Sequence, residues 1–419
     1  MEKNNSYLRA KERYASLGID TDVAIEKIKG TPVSIHCWQG DDVAGFEAKG
    51  PSLSGGGILS TGAYPGKAKN ISQLTDDIDK AFSLIPGHKK LALHAMYGDF
   101  KGKRIDRDQI EPEHFDWWLS WARERGHGLD FNPTLFAHPK QDEGYSLASE
   151  DKGIRDFWVE HVARSRKVGA YLGSKLGSLC TNNIWIPDGE KDITPSRAVH
   201  RKYLIDSLDR ALEQSYPGSD LLDSVESKLF GIGYEYYTPG SNDFYLLYAA
   251  RKNIAITLDT GHFHPTELVS DKISAILPFL PAVLLHLSRG IRWDSDHVTV
   301  LNQEIIDIMA EIKRSDAFGK VHVGTDFFDG SINRIGAWAL GARAVAKAML
   351  HAHLEPTDKL RAYEKERNFF ARLALFEELK AMPFGDVWDH YLDGEGIVTD
   401  RDLTGEVMSY EKDVLSKRD

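Results

Sequence analysis

Residues 254–262 read Ile-Ala-Ile-Thr-Leu-Asp-Thr-Gly-His. The stretch begins as an apolar run suited to a buried strand and ends in Asp259 and His262. An aspartate is rarely buried unless it is paired or bound to a metal. An acid and an imidazole at the carboxyl end of a buried strand therefore point to a site, and Gly261 would allow a sharp bend between them. The competing reading is a helix-capping aspartate beside a surface histidine.

The same design recurs in both directions. Apolar, β-prone runs fall near 32–38, 90–97, 128–134, 181–187, 223–230, 254–262, 282–289 and 319–328. Helical patterns follow them at about 72–85, 110–126, 150–176, 194–214, 242–252, 267–279, 302–317 and 331–353. Strand–helix alternation implies a parallel sheet with helices outside it. Eight units are the count of a closed (β/α)8 TIM barrel, an α/β fold. An open doubly wound sheet would place a Gly-rich turn after its first strand, and no GxGxxG stands there. Residues 1–30 read as a helical segment, with Asp20 or Thr21 as a cap and Gly30 as a stop. The barrel would occupy 31–355. A charged α-helical C-terminal extension, 356–419, carries Trp388 and several Phe. Its apolar faces would lie under the barrel or against another subunit.

A chain of 419 residues, 42% hydrophobic and 27% charged, has the composition of a globular protein. A net charge of −11 argues against nucleic acid or an anionic membrane as partner. No run of 18 apolar residues and no basic-then-apolar start appears, so neither a membrane span nor a signal peptide is expected. Cys37 and Cys180 alone suggest no disulfide framework and no cysteine zinc site, which fits a cytoplasmic protein.

In a barrel the site lies at the carboxyl ends of the strands. The runs deliver His36, Trp38, Asp41 and Asp42, then His94, Asn132, Asn183 with Trp185, and Glu226 with Lys228. They continue with Asp259 and His262, His286 followed by Asp294 and Asp296, and Asp326 with Asp329. Glu226 and Lys228, two apart on a strand, would share a face. Seven residues converge as metal candidates: Glu226, Asp259, His262, His286, Asp294, Asp296 and Asp326. So many carboxylates in one pocket repel one another, and two divalent cations compensate them better than one. Carboxylate and imidazole without thiolate suit Mn²⁺, Mg²⁺ or Co²⁺. His36, His94 and Trp38 would line a polyol pocket or sit in the core. Gly55–Gly57, with Gly62 and Gly66, reads as a flap over the barrel mouth or as a surface loop. Trp117, Trp118 and Trp121, at helical spacing, are expected in the core, and His351 and His353 on the surface.

Several longer runs carry a resemblance. HCWQGDD at 36–42, NIWIPDGEKDIT at 183–194, ESKLFGIG at 226–233, LDTGHFHPTE at 258–267, RWDSDHV at 292–298 and TDFFDGSINRIGAW at 325–338 resemble L-rhamnose isomerase. So does GGG…TGAYPGKA at 55–68. The resemblance spans nearly the whole chain and is thinnest in the first 30 and last 60 residues. It implies a xylose isomerase-like TIM barrel, assembled as a cytoplasmic homotetramer that interconverts L-rhamnose and L-rhamnulose. It also implies two divalent metals, commonly Mn²⁺, with Zn²⁺ as a further option. Glu226, Asp259, His286 and Asp326 would hold the structural ion. His262, Asp294 and Asp296 would hold the catalytic one, with Asp259 bridging. Lys228 and Trp185 would contact sugar, joined by His94, Trp38 and Asp294, under a loop near 52–66. Lys228, Asp326 and His262 would serve catalysis, Lys228 by stabilising a developing oxyanion.

The expected reaction is a metal-mediated 1,2-hydride shift, which needs no nicotinamide because the hydride stays on the sugar. Its rivals are an enediol route, with a carboxylate such as Asp326 moving a proton, and a two-metal hydrolase on the same barrel.

Overall fold

The structure is a computed structural model that describes residues 2–47, 60–141, 143–230, 236–291 and 293–418. Its centre is a closed barrel of eight parallel strands. In chain order they are β1 (Val33–His36), β2 (Lys89–His94), β3 (Gly128–Asn132), β4 (Cys180–Trp185), β5 (Leu221–Glu226), β6 (Ala255–Asp259) and β7 (Val283–Leu287). A short antiparallel hairpin follows, β8 (Arg289–Ile291) and β9 (Trp293–His297). The barrel then closes with β10 (Val321–Thr325), which pairs with β7 on one side and β1 on the other.

All eight expected strands and the helices between them are present. The strands read as apolar runs because helices cover their outer side and side chains fill the inside. One buried charge on the barrel strands is paired across neighbouring strands. Lys90 is nearly buried and donates to Asp130 at 2.5 Å and to the Leu179 carbonyl at 2.6 Å. Two helices, Glu2–Ala15 and Thr21–Lys29, precede the first strand. Asp20 caps the second by accepting the amides of Asp22 and Val23, and Gly30 follows its end.

The helix Arg334–His353 carries the small, largely buried series Ala337, Ala339, Gly341, Ala342 and Ala344. Small side chains there let other groups approach closely. Gly341 lies against Phe327, where an added Cβ would come within 2.5 Å of the ring. Four helices follow: Thr357–Lys365, Phe369–Lys380, Phe384–Gly394 and Asp400–Asp413. The third packs on the N-terminal helix, where His390 stacks on Tyr7 with ring centroids 3.6 Å apart. The fourth donates the Tyr410 hydroxyl to Asp77 at 2.9 Å. The second turns Phe370 outward, 82% exposed.

Two expectations about packing are corrected. Trp118 and Trp121 are buried, but Trp117 is 43% exposed, because the helix Asp116–Arg125 buries only one side. His351 and His353 are half-buried, not surface groups. His351 stacks on Phe384 and His353 on Phe318, and burial pushes the pKa of each down to about 4.

Candidate metal centre and sugar pocket

Register brings the acids together. β6 pairs with β7 so that Asp259 lies beside His286, and β4 pairs with β5 so that Trp185 lies beside Glu226. Asp326 follows the last residue of β10. One ligand atom each from Glu226, Asp259, His286 and Asp326 lie within 4.8 Å of one another, as do those of Asp259, His262 and Asp296. The two groups share Asp259.

The orientation of Asp259 is set locally. Its Oδ1 accepts the Gly261 amide at 2.7 Å and the Ser288 hydroxyl at 2.7 Å. That leaves Oδ2, which is buried and has no hydrogen-bond partner among the described residues. Glu226 Oε1, His286 Nδ1 and Asp296 Oδ1 are in the same condition. His286 Nδ1 stands 3.3 Å from both Glu226 Oε2 and Asp326 Oδ2. His262 donates its Nδ1–H to the Ser227 carbonyl at 3.1 Å, so its tautomer is fixed. Nε2 then points at Asp296 Oδ1, 3.2 Å away, and Asp259 Oδ2, 3.9 Å away. A lone pair aimed at carboxylate oxygens requires a positive charge between them, a proton or a metal ion.

The electrostatics agree. Burial, reinforced by Asp296, Glu226 and Asp326 and opposed by His262, pushes Asp259 up to about 8. Burial also raises Glu226, but His286 and His262 outweigh it and hold that carboxyl well below its usual range. Burial disfavours both imidazolium ions, yet Asp259 beside His262 and Glu226 beside His286 raise each well above its ordinary value. Too much negative charge is gathered in one buried place, and protons are drawn in to offset it. Divalent cations fit this donor set, with carboxylates and imidazoles and no thiolate.

Beside the acids is a cavity walled by Trp38, Val43, Phe136, Trp185 and Phe328 and floored by Glu226, His262, Asp296 and Asp326. Trp38 donates its indole N–H to Asp326 Oδ1 at 2.9 Å. His94 lines the cavity, meets Trp38 edge-on and lies 3.3 Å from the Thr134 hydroxyl. Burial pushes its pKa down to about 4. His36 lies behind the wall, 3.0 Å from the Thr325 hydroxyl, and does not line the cavity.

Lys228 reaches the cavity by a different route from the one expected. β5 ends at Glu226, so the two residues do not share a strand face. The chain leaves the barrel there, and Lys228 Nζ sits 5.3 Å from the centre of the Trp185 ring and 3.7 Å from Asp296 Oδ2. Gly261 is also needed for another reason. Its φ is not positive; a Cβ there would meet the Ser295 carbonyl at 2.4 Å and Ser288 Oγ at 2.6 Å. The bare α-carbon lets the hairpin β8–β9 close on the strand end. Asp296 rides on that hairpin, where a solvated turn is the common reading of Asp-x-Asp. The side chain of Asp294 lies outside the described residues, as do 52–59 of the expected flap.

Sequence reasoning names Asn183 but gives it no role. Its amide donates to Glu226 Oε2 at 2.5 Å, and its carbonyl oxygen accepts the Thr257 hydroxyl at 2.7 Å. Ser288, Val43 and Phe136 carry no signal in the sequence that marks them for a site.

Comparison with known proteins places the whole arrangement. The family model for L-rhamnose isomerase (RhaA) matches residues 1–418. L-rhamnose isomerase of Rhodopirellula baltica is 49% identical over 409 residues, 98% of this chain and 95% of that protein. L-rhamnose isomerase of Mannheimia succiniciproducens is 51% identical over 413 residues, 99% of this chain and 98% of that protein. Among solved structures, an L-ribulose 3-epimerase matches 78% of this chain and 95% of its own, at 13% identity and a TM-score of 0.46. With an end-to-end family match and two relatives near half identity, the chain belongs to the L-rhamnose isomerase family.

Proposed function

We propose that this protein interconverts L-rhamnose and L-rhamnulose, using two divalent cations and a hydride shift from C2 to C1 of the sugar. The observation that carries the reading is Asp259. One of its oxygens is fixed by Ser288 and Gly261, and the other is left at the junction of two ligand groups. Glu226, Asp259, His286 and Asp326 would hold one ion. Asp259, His262 and Asp296, with Asp294, would hold the other. We assign Mn²⁺, with Co²⁺, Mg²⁺ and Zn²⁺ as alternatives.

When bound, the ions supply Lewis acidity to the oxygens at C1 and C2. Trp38, Trp185, Phe136 and Phe328 present apolar faces to the sugar and exclude water. Lys228 places its ammonium over Trp185 and beside Asp296, where it would stabilise negative charge on a sugar oxygen. The C2–H bond breaks as the C1–H bond forms, and the proton leaving O2 is restored at O1. No nicotinamide takes part. In the enediol alternative Asp326, at the cavity floor, would carry the proton. A hydrolase would want cations to clamp an anionic substrate, and Lys228 is the only lysine or arginine among the described residues that line this cavity.

We also assign a homotetramer, in the cytoplasm. The outward apolar side chains of Phe279, Phe370 and Leu373 support subunit contact. The experiment is incubation of chelator-stripped protein with L-rhamnose, with and without Mn²⁺, assayed for ketose. Ketose formed only with metal is the expected result; its absence in protein shown to hold metal would overturn the proposal.

A further inference from the structure

Arg334 is the first residue of its helix, where a cation opposes the helix dipole, so the helix does not account for it. It is 3% exposed, and each of its three guanidinium nitrogens donates to a distant part of the chain. Nε and Nη2 donate to the two carboxylate oxygens of Asp42, each at 2.8 Å. Nη2 also donates to the Tyr64 carbonyl at 2.8 Å, and Nη1 donates to the Pro65 carbonyl at 3.0 Å. One side chain thus ties together the segment leaving β1 and the segment returning to the next helix.

What it ties down is strained. Asp42 and Val43 have φ of 57° and 59°, consecutive non-glycine residues in the left-handed region. Aspartate tolerates that region, whereas a β-branched valine is a true outlier there. Such backbone persists only where its surroundings over-determine it. Here Asp41 accepts the Tyr97 hydroxyl at 2.7 Å and the Gly45 amide at 2.8 Å. The Val43 amide donates to the Trp38 carbonyl at 3.0 Å. Arg334 holds the residue between. The outcome of the turn is that Val43, 8% exposed, forms part of the cavity wall.

We propose that Arg334 is a positioning residue for the sugar. By gripping Asp42 it holds the left-handed turn, and the turn sets the wall that Val43 presents to the substrate. The inference rests on reading this cavity as the sugar pocket.

The test compares full-length, metal-loaded Arg334→Gln, Arg334→Lys and Asp42→Asn with the parent. Two readouts are taken: initial rates over a range of L-rhamnose, and amide hydrogen exchange of residues 41–47. The Gln and Asn variants are expected to raise KM about tenfold with kcat changed less than about threefold, at equal metal content. Their 41–47 amides should exchange faster, and the Lys variant should fall between. Unchanged exchange in a folded Arg334→Gln protein overturns the positioning role, whatever the substrate. Faster exchange with an unchanged KM overturns the effect on the sugar, as does loss of kcat in step with loss of metal. Should Arg334→Gln not fold, Asp42→Asn, which loses the charge and one of the two acceptor oxygens, weakens the same grip and carries the comparison. A parent protein that does not turn over L-rhamnose would instead sink the proposed function, and the exchange data would still decide what Arg334 does to the turn.

Discussion

Trp38 and Asp326, 288 residues apart in the chain, meet through an indole N–H and a carboxylate oxygen at 2.9 Å. The contact gives Trp38 a second task. It walls the cavity, and it also fixes the acid whose other oxygen faces His286 at 3.3 Å. Groups that orient ligands commonly change metal affinity by about 10–100-fold when removed. Trp38→Phe keeps an aromatic wall and loses only the donor. Calorimetric titration of the stripped variant with Mn²⁺ should therefore show affinity lowered by about that factor. Affinity equal to that of the parent would show that Asp326 needs no such anchor.

Gly261→Ala is expected to be far more damaging than its size suggests. The added methyl would meet the Ser295 carbonyl and Ser288 Oγ inside contact distance. Relief requires the hairpin to retreat and Asp296 with it, and Ser288 to loosen its hold on Asp259. The expected outcome is loss of metal at the His262 group, read as fewer ions per chain by elemental analysis, with kcat lowered about 100-fold. A variant with full metal content and parental kcat would mean that the hairpin tolerates the shift.

Much of the barrel and of its acid cluster is legible in the amino-acid sequence, and the reason is physical. A barrel strand covered on both sides reads as a continuous apolar run, so β6 and β7 stand out, and acids at their ends stand out against them. The hairpin does not. β8 is Arg-Gly-Ile, three residues with no apolar alternation, and only sequence order puts Asp296 near the site. Asn183, Ser288 and Arg334 acquire meaning only from partners: Asn183 from Glu226, 43 positions on, and Arg334 from Asp42, 292 positions back. No local pattern carries such pairs. Gly261 reads in the sequence as a bend in the chain, but its value is the room it leaves for the hairpin.

Isotopes separate the two routes for the hydrogen. With a hydride shift, L-rhamnose carrying deuterium at C2 should give ketose with deuterium retained at C1. Unlabelled sugar turned over in heavy water should then acquire none at that carbon. An enediol route through Asp326 would exchange the proton with solvent and reverse both results. Mass spectrometry of the ketose at low conversion distinguishes them, and solvent deuterium at C1 would end the hydride reading.

The fold should be sensitive to mild acid, and His161 shows why. It is fully buried; Nδ1 donates to the Arg107 carbonyl at 2.9 Å, and Nε2 accepts the Thr134 amide at 2.9 Å. Protonating Nε2 would break the second bond. Burial, with Arg107 nearby, pushes the pKa down to about 3. The unfolded chain takes up that proton near pH 6.5. Above that pH the group costs the folded state nothing. As pH falls from 6.5 toward 3 the unfolded state binds the extra proton, and stability is lost progressively. His127, His351 and His353, each depressed to about 4 by burial, act in the same direction. Asp41 and Asp188, raised by burial to about 7 and about 6, act in the opposite direction, since the folded state holds their protons first. His161 therefore withdraws stability between pH 7.5 and pH 5, read as its share of any fall in the midpoint of denaturant unfolding. His161→Asn should be less stable at pH 7.5 but lose less over that interval, and any metal contribution common to both proteins cancels in the comparison. An equal loss in the two proteins would show that His161 does not carry its share of the acid sensitivity.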